Sequence, residues 1–243
     1  MSESFEYLFG GYHKAQARRW RNRDGSEGGI VALTATIQNT NMVIPSDSVV
    51  WPCARIGYGA RIGYDASIGS RASIGYDASI GSRASIGDGA HLGNGARIGY
   101  GASIGYGASI GYDASIGSRA SIGDGAHLGN GARIGYGASI GYGANIVDGA
   151  SIGEGVSIGN GDWWLSGGPC GSRDAFWTAV WSRKCGLRWW VGCQHAITTE
   201  QLLARIAQEH GDNAHAQDYR AVIAFVESHP GLARAKAAVE ATP

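Results

Sequence analysis

The side chains most able to do chemistry in this chain fall into two groups. The first group is a pair of histidines, His91 and His127, in identical copies of the segment GDGAHLGNGA that lie 36 residues apart. The second group consists of Cys170, Cys185, Cys193 and His195. These residue types bind zinc, but the intervening stretches of 14, seven and one residues match no paired-ligand zinc motif. We therefore expect no metal and no cofactor, and the histidines have to be placed in a fold before a role can be assigned.

An uninterrupted six-residue repeat supplies that fold. The pattern Ala-x-Ile-Gly-x-x recurs eighteen times between Ala54 and Ile158, without an insertion or a deletion. The isoleucine position changes only to Leu92 and Leu128, the alanine only to Val156 and the glycine only to Val147. Because side chains alternate across a strand, the isoleucine and the alanine point inward while the residue between them points to solvent. A hexapeptide period predicts a parallel β-helix in which each repeat is one short strand and a corner.

The repeat resembles the hexapeptide-repeat superfamily of left-handed parallel β-helices, which is best known from bacterial acyltransferases. The resemblance implies three hexads per triangular coil, hence 18 residues per coil, and left-handed winding. The register extends back through Val50 and Ile44. We therefore expect a mainly β fold, a left-handed parallel β-helix of roughly six to seven coils, followed by a small α+β C-terminal module.

With 18 residues per coil, the outward residues sort into columns that are candidate binding surfaces. One column is a ladder of serines, which could order water as ice-binding β-helices do; its members are Ser67, Ser85, Ser103, Ser121, Ser139 and Ser157. A second column alternates serine with Arg61, Arg97 and Arg133, and its guanidinium groups could bind an anion. The alternative for both columns is a solvated face without a ligand.

The third column carries His91 and His127, which the resemblance makes candidate catalytic residues. Hexapeptide acyltransferases use a histidine as general base on an acyl-CoA or acyl-carrier donor, in clefts between the subunits of a trimer. The residues next to these two histidines in the column are Ser73, Ser109 and Asn145, so no carboxylate on the neighbouring strands orients either imidazole. The repeat also contains no extruded loop of the kind that often completes such a cleft.

A longer duplication counts against catalysis. Residues 72–107 recur letter for letter as residues 108–143, a block of two coils, and a single active site is not normally copied whole. The sequence thus favours a non-enzymatic structural or interaction protein, a rigid β-helical scaffold that presents its C-terminal module for attachment. The first alternative is an acyltransferase that uses His91 or His127 as base. The second alternative is an ice-binding protein that uses the serine ladder.

Composition and sequence patterns limit the classes of partner and the cellular compartment that we expect for this protein. The 20 basic residues balance the 20 acidic ones, which argues against affinity for nucleic acid or for anionic lipid. No stretch approaches the roughly 18 apolar residues that span a bilayer, and the N-terminus does not have the pattern of a signal peptide. Four scattered cysteines do not form a disulfide framework. We expect a cytoplasmic homo-oligomer, a trimer by resemblance, encoded by a bacterium or a phage.

The flanking segments give a three-part organisation: a cap over residues 1–43, the β-helix over 44–161 and a tryptophan-rich module over 162–243. In the cap, we expect residues 29–38 to form a strand that closes the first coil. In the module, residues 175–181 and 187–193 are rich in β-formers and predict a hairpin. Two helices follow, one after the capping residue Thr198 and one from about Ala214 to Ser228, where Pro230 and Gly231 stop it.

Six of the eight tryptophans lie in the C-terminal module, where they most simply form its core and a face for docking a protein partner. The scattered string GSR…GCQ…HGDN…Y loosely resembles terminal segments of uncharacterised phage or prophage proteins, over about 60 residues.

Overall fold

The computed structural model describes residues 3–173, 175–191 and 194–240. The chain divides into two compact units, Met1–Ala150 and Ser151–Pro243. The fold class expected from the repeat is confirmed: the protein is mainly β, a left-handed β-helix of about seven turns with a C-terminal antiparallel sheet and short helices. The boundaries of the three segments given above stay a prediction.

The first unit opens with three longer strands and one short strand, β1 (Ser4–Phe9), β2 (His13–Arg21), β3 (Glu27–Ala32) and β4 (Thr36–Ile37). Strands β1, β2 and β3 pair in antiparallel order, and β3 then pairs in parallel with the first strand of the repeat. The single strand expected over residues 29–38 is therefore two strands, because a turn in which Ala35 N–H donates to the Ala32 carbonyl, at 3.0 Å, separates them.

Each hexad contributes one two-residue strand. In the first unit these are β5 (Val49–Val50), β6 (Arg55–Ile56), β7 (Arg61–Ile62), β8 (Ser67–Ile68), β9 (Ser73–Ile74), β10 (Ser79–Ile80), β11 (Ser85–Ile86), β12 (His91–Leu92), β13 (Arg97–Ile98), β14 (Ser103–Ile104), β15 (Ser109–Ile110), β16 (Ser115–Ile116), β17 (Ser121–Ile122), β18 (His127–Leu128), β19 (Arg133–Ile134), β20 (Ser139–Ile140) and β21 (Asn145–Ile146).

Strands eighteen residues apart pair in parallel, as the three-hexad coil requires. Ser85 is in register with Ser103 and Ile86 with Ile104. The main chain supplies the ladder: Ser85 N–H donates to the Ala102 carbonyl at 2.9 Å, and Gly87 N–H donates to the Ile104 carbonyl at 2.7 Å. The isoleucines and alanines of these hexads are buried, and each buried isoleucine contributes about 1.5–3 kcal/mol.

The glycine after each isoleucine is required by stacking, because its hydrogen faces the main chain of the next coil. A Cβ on Gly87 would lie 2.6 Å from the carbonyl carbon of Gly105. The second glycine of the same hexad has a different reason: Gly89 has φ +67° and open space where a Cβ would lie. One glycine therefore sets the distance between coils, and the other allows the corner to turn.

Three corners carry arginine at the turning position and keep the same left-handed backbone. The φ angles of Arg71, Arg83 and Arg119 are 60°, 59° and 58°. Two of these arginines gain contacts in return: Arg83 lies over the ring of Tyr100 and donates to its hydroxyl at 2.7 Å, and Arg119 does the same with Tyr136 at 2.8 Å. These contacts offset part of the strain of a non-glycine residue at positive φ.

The second unit begins with two further hexad strands, β22 (Ser151–Ile152) and β23 (Ser157–Ile158). A four-stranded antiparallel sheet follows, formed in this order by β24 (Trp163–Cys170), β25 (Ala175–Ser182), β26 (Gly186–Val191) and β27 (Gln194–Ile197), with a 3₁₀ turn at Gly171–Arg173. Three helices complete the unit, α1 (Thr199–His210), α2 (Ala214–Ser228) and α3 (Pro230–Glu240).

The expected hairpin is present as β25 and β26, and the two expected helices are α1 and α2. Thr198 caps α1 through a complete capping box with Gln201, and the side chain of Asn213 caps α2. Two elements differ from the expectation. Strand β24 was not predicted, and Pro230 begins α3 where it was expected only to end α2.

The core of the second unit lies between one face of the sheet and the helices. Trp177 and Trp189 are buried there against Leu202, Ile206 and Ile223, so tryptophans do form part of the core, as predicted. None of the described helices is long and apolar enough to span a bilayer.

Two substitutions in one hexad test the stacking role of glycine. Gly87→Ala should lower the free energy of unfolding by about 2–3 kcal/mol, because the added methyl group forces two coils apart at main-chain positions that cannot rotate away. Gly89→Asn should cost less than about 1 kcal/mol, because asparagine tolerates positive φ and the space is open. Urea denaturation followed by circular dichroism measures both, and equal costs would contradict the assignment.

Candidate active site

His91 lines a groove on the outer face of one sheet of the first unit. The groove has a volume of about 220 Å³. Its floor is a column of four outward residues from β4, β6, β9 and β12, in register from strand to strand: Thr36, Arg55, Ser73 and His91. Because paired strands lie about 4.8 Å apart, Ser73 is the immediate neighbour of His91, and Arg55 is about 10 Å away.

Side-chain amides shape one edge of the groove. Gln38 Oε1 accepts from Tyr58 N–H at 3.2 Å, and Asn94 Oδ1 accepts from Tyr76 N–H at 2.9 Å. Each amide oxygen thus satisfies a corner N–H of a neighbouring coil. The Nδ2 group of Asn94 donates to no other described residue, so it is available to a ligand in the groove.

The imidazole of His91 is exposed and makes no hydrogen bond or ion pair with the part of the chain that the structure describes. The described residues that line the groove include no aspartate or glutamate, and Arg55 is the fixed charge among them. The groove therefore combines a free proton acceptor, a neighbouring hydroxyl and a cation. This set suits the deprotonation of an alcohol or amine beside an anionic group.

His127 lies in an identical decapeptide but has a different column around it. Its register neighbours are Ser109 and Asn145. Arg55 lies two coils toward the N-terminus from His91 in the same column. At the corresponding position, two coils toward the N-terminus from His127, the column has His91 itself. The duplication therefore copied the histidine without the cation of the groove.

The two other predicted columns are stacked as the repeat requires. Neighbouring members of the serine ladder in the first unit are in register on β8, β11, β14, β17 and β20, and Ser157 lies in the second unit. Arg61, Arg97 and Arg133 are each separated by one serine, so neighbouring arginines are about 10 Å apart. A binding role for either column stays a prediction.

The cysteine and histidine group does not form a cluster in the described residues. Cys170 is buried, Cys185 is exposed, and the His195 Nδ1 lies 3.1 Å from the carbonyl oxygen of Glu154. Cys193 lies outside the described residues. Across the described ranges, no group of three or more metal-binding side chains comes together.

Comparison with solved structures finds an acetyltransferase domain, a hexapeptide transferase family protein and an acyltransferase among the similar chains. The acetyltransferase domain of PglB from Neisseria gonorrhoeae, in complex with acetyl coenzyme A, is 22% identical, with a TM-score of 0.37 over 57% of each chain. A hexapeptide transferase family protein from Anaplasma phagocytophilum is 19% identical, with a TM-score of 0.41 over 54% of this chain and 76% of that one. The UDP-N-acetylglucosamine acyltransferase of Arabidopsis is 18% identical, with a TM-score of 0.36 over 53% and 55%.

The chain thus spans little more than half the length of the first of these structures. At such identities the likeness concerns the fold alone, and the resemblance to the hexapeptide-repeat superfamily is one of fold. A scan of protein-family models finds no match, and a search of curated proteins finds none either. The resemblance of the C-terminal segment to phage proteins stays a prediction.

One expectation needs correction. The sequence favoured a non-enzymatic scaffold, but the structures similar to this chain are acetyltransferases and acyltransferases, some of them with coenzyme A bound. The argument from duplication assumed that a whole site was copied, but the copied block carries Ser73, His91 and Asn94 of the groove without Thr36, Gln38 and Arg55.

Sequence reasoning singled out His91 but missed Gln38, Tyr76 and Asn94 as its surroundings, and it gave Arg55 no role. The signal was present in part, since Arg55 and Ser73 fall in the same 18-residue column as His91. The contribution of Gln38 was hidden, because β4 and β6 are paired at a spacing of 19 residues, from Thr36 to Arg55.

The reactivity of the cysteines tests whether Cys170 is buried and Cys185 exposed, as the structure has them. Burial, followed by the negative charge of Asp218, raises the pKa of Cys170 to about 11 from its ordinary 9.0. Iodoacetamide at about pH 8 should therefore alkylate exposed Cys53 and Cys185 in the folded protein and leave Cys170 unmodified until the chain is denatured. Peptide mapping by mass spectrometry reads the result.

The same thiol should make stability depend on pH. The folded state keeps the Cys170 proton up to about pH 11, whereas the unfolded thiol loses it near pH 9.0, so its contribution is present below pH 9 and is lost as the pH rises toward 11. Cys170→Ala should remove this component of the pH profile. Rapid alkylation of native Cys170 would contradict both expectations.

Proposed function

We propose that the protein is an acyltransferase that moves an acyl group from a thioester donor to an alcohol or amine, with His91 as the general base. The observation that carries this proposal is the groove in which His91 lies beside Ser73, with Arg55 and Asn94 at its margins. The donor class, acyl-CoA or an acyl carrier, follows from the hexapeptide-repeat fold and from the neighbours described as binding coenzyme A.

The chemistry needs a single base. His91 takes the proton from the acceptor hydroxyl or amine while the acceptor oxygen or nitrogen attacks the thioester carbonyl. The tetrahedral intermediate then collapses, a carbon–sulfur bond breaks, and the leaving thiolate receives the proton from the imidazolium of His91. One acyl–oxygen or acyl–nitrogen bond forms, and the imidazole returns to its neutral state.

Two further residues of the groove support this reaction. Arg55 carries the fixed positive charge that attracts an anionic group of the donor. Asn94 has an uncommitted Nδ2 donor on the same column edge, and such a donor stabilises the oxyanion that develops in the tetrahedral intermediate. The described residues of the groove include no carboxylate that orients the imidazole, in contrast to a histidine held in a triad.

The duplicated block supplies a matched control for the base. His91→Gln should lower kcat/KM at least about 100-fold, while His127→Gln, in an identical decapeptide, should stay within about twofold of the parent enzyme. The assay uses acetyl-CoA with a panel of primary amines and sugar alcohols, and chromatography measures coenzyme A release. A His91→Gln enzyme that keeps the parent rate, or equal losses in the two variants, would overturn the assignment.

Arg55→Gln adds a second readout to the same assay. It should raise the KM for acetyl-CoA about tenfold with little change in kcat, because its charge acts on a part of the donor that does not react. A fall in kcat alone would contradict the role given to Arg55.

We further propose that the active form is a homotrimer in the cytoplasm, as the resemblance implies. One coil edge of the first unit carries exposed Tyr58, Tyr76 and Tyr112, aromatic residues of the type enriched at interfaces. The edge borders the groove, so a neighbouring subunit there would cover the histidine column and exclude water from it. The free thiols of Cys53, Cys170 and Cys185 are compatible with a reducing compartment.

Light scattering coupled to size exclusion tests this assembly. The parent protein should have a mass about three times its monomer mass of 25.3 kDa. Tyr58→Ser/Tyr112→Ser should shift it toward the monomer and lower transferase activity, whereas Tyr106→Ser/Tyr142→Ser, on a different edge, should change neither. A monomeric parent protein would refute the trimer and leave the assignment of His91 to its own assay.

A further inference from the structure

A second cavity lies entirely within the unit Ser151–Pro243, and the transferase chemistry does not use it. Its volume is about 540 Å³, which falls in the range of sites for small organic ligands. One side is the face of the antiparallel sheet opposite to the one that packs on the helices, with Val180, Arg188 and Trp190. The other side is formed by the last hexad and the loop after it, with Ser157 and Asp162.

The sheet builds this wall by alternation. Trp177 and Trp189 point into the helical core. Because side chains alternate along a strand, the residues next to these tryptophans on β25 and β26 point to the opposite face of the sheet. Thr178 is in register with Trp190, and Val180 with Arg188. The wall therefore presents an aliphatic side chain and an indole next to a guanidinium.

Three cations border the cavity without acidic partners. Arg183 and Lys184 lie in the turn between β25 and β26, and Arg188 lies on β26. None of the three forms an ion pair with the described residues. Arg188 Nη1 donates to the carbonyl of the adjacent Leu187 at 3.2 Å, which leaves most of its donors available.

Asp162 is the one acidic residue among the described lining residues, and its carboxylate is engaged in a hydrogen bond within its own loop. Its Oδ2 accepts from the Gly159 N–H at 2.7 Å, so the carboxylate is part of the turn that leaves the last hexad. With three basic groups against one committed carboxylate, the cavity has an excess of positive charge.

Trp190 contributes an indole that is almost fully buried. Its side chain is 8% exposed, and its indole Nε1 is buried with no hydrogen-bond partner in the part of the chain that the structure describes. A buried donor without an acceptor is costly to a folded protein. Trp190 also lines the cavity, so its indole adds aromatic surface to the wall.

We propose that this cavity binds an organic phosphate monoester. The phosphate dianion would be held by Arg183, Lys184 and Arg188, since guanidinium and ammonium groups together neutralise two charges. The organic group would lie against Val180 and the indole of Trp190. The site goes beyond the acyl transfer proposed for His91 and shares no residue with it.

Calorimetry on the full chain tests the proposal with phenyl phosphate, inorganic phosphate and benzyl alcohol as probes. Phenyl phosphate should bind at least tenfold more tightly than inorganic phosphate, because only the ester also covers the apolar wall, and benzyl alcohol should not bind measurably. Equal binding of the two phosphates would mean a site for the free anion and would overturn the ester assignment.

A pair of double variants separates a local site from overall charge. Arg183→Gln/Lys184→Gln, in an exposed turn, should weaken phenyl phosphate binding at least tenfold, whereas Arg234→Gln/Lys236→Gln removes the same charge from exposed positions on α3 and should leave it unchanged. Trp190→Phe should weaken binding several-fold at constant charge. Equal effects of the two double variants, or no binding to the parent protein, would refute the site, and neither result touches the transferase assay of His91.

Discussion

The structure depends on one constraint, which is that successive coils approach each other at main-chain distance. Each strand has only two residues, so a coil contributes few ladder hydrogen bonds, and these form only if the corners stack as closely as the strands. The glycine after each isoleucine meets this requirement, since a Cβ at Gly87 would run into the main chain of Gly105.

Close stacking also dictates how chemistry can be arranged on this fold. For an outward side chain of the first unit, the neighbouring outward side chains on the paired strands belong to residues eighteen positions before and after it in sequence. His91 is therefore defined by Ser73, Arg55 and Thr36, residues that no local motif would connect to it. An identical decapeptide around His127 has different neighbours, so identity over ten residues does not imply identity of the site. The unit of function on a solenoid is the column rather than the segment.

Much of the fold could be predicted from sequence because the repeat is regular, and what was missed is irregular. The hexads, the hairpin β25–β26 and the helices α1 and α2 all follow from periodicity and capping residues. Strand β24 was missed because Gly167, Gly168 and Pro169 are typical of a turn. In the structure Gly167 instead makes room for the indole of Trp177, and the pairing of β24 with β25 shifts register between Gly167 and Cys170. Helix α3 was missed because Pro230 is as suitable for a first helical position as for a stop.

The candidate site was predictable only in part, and for a similar reason. A column calculation at strict 18-residue spacing brings Ser73 and Arg55 to His91. It does not bring Thr36 and Gln38, because one extra residue separates β4 from β6. The cavity of the second unit could not be predicted from sequence, because it depends on which face of a sheet each of two adjacent tryptophans takes, Trp189 toward the helices and Trp190 toward the last hexad.

The hairpin of β1 and β2 at the N-terminal end affects whether another copy of the chain can pair with the β-helix. A parallel solenoid ends in an open row of amide and carbonyl groups, which is a template for another copy and hence for a growing fibre. Here β3 pairs in parallel with β5 on one side and in antiparallel fashion with β2 on the other. Strands β2 and β1 therefore cover the outer side of β3, and a second solenoid cannot pair in parallel with β3 itself. The number of repeats can therefore grow by internal duplication while the first coil strand of this sheet stays covered by the same hairpin.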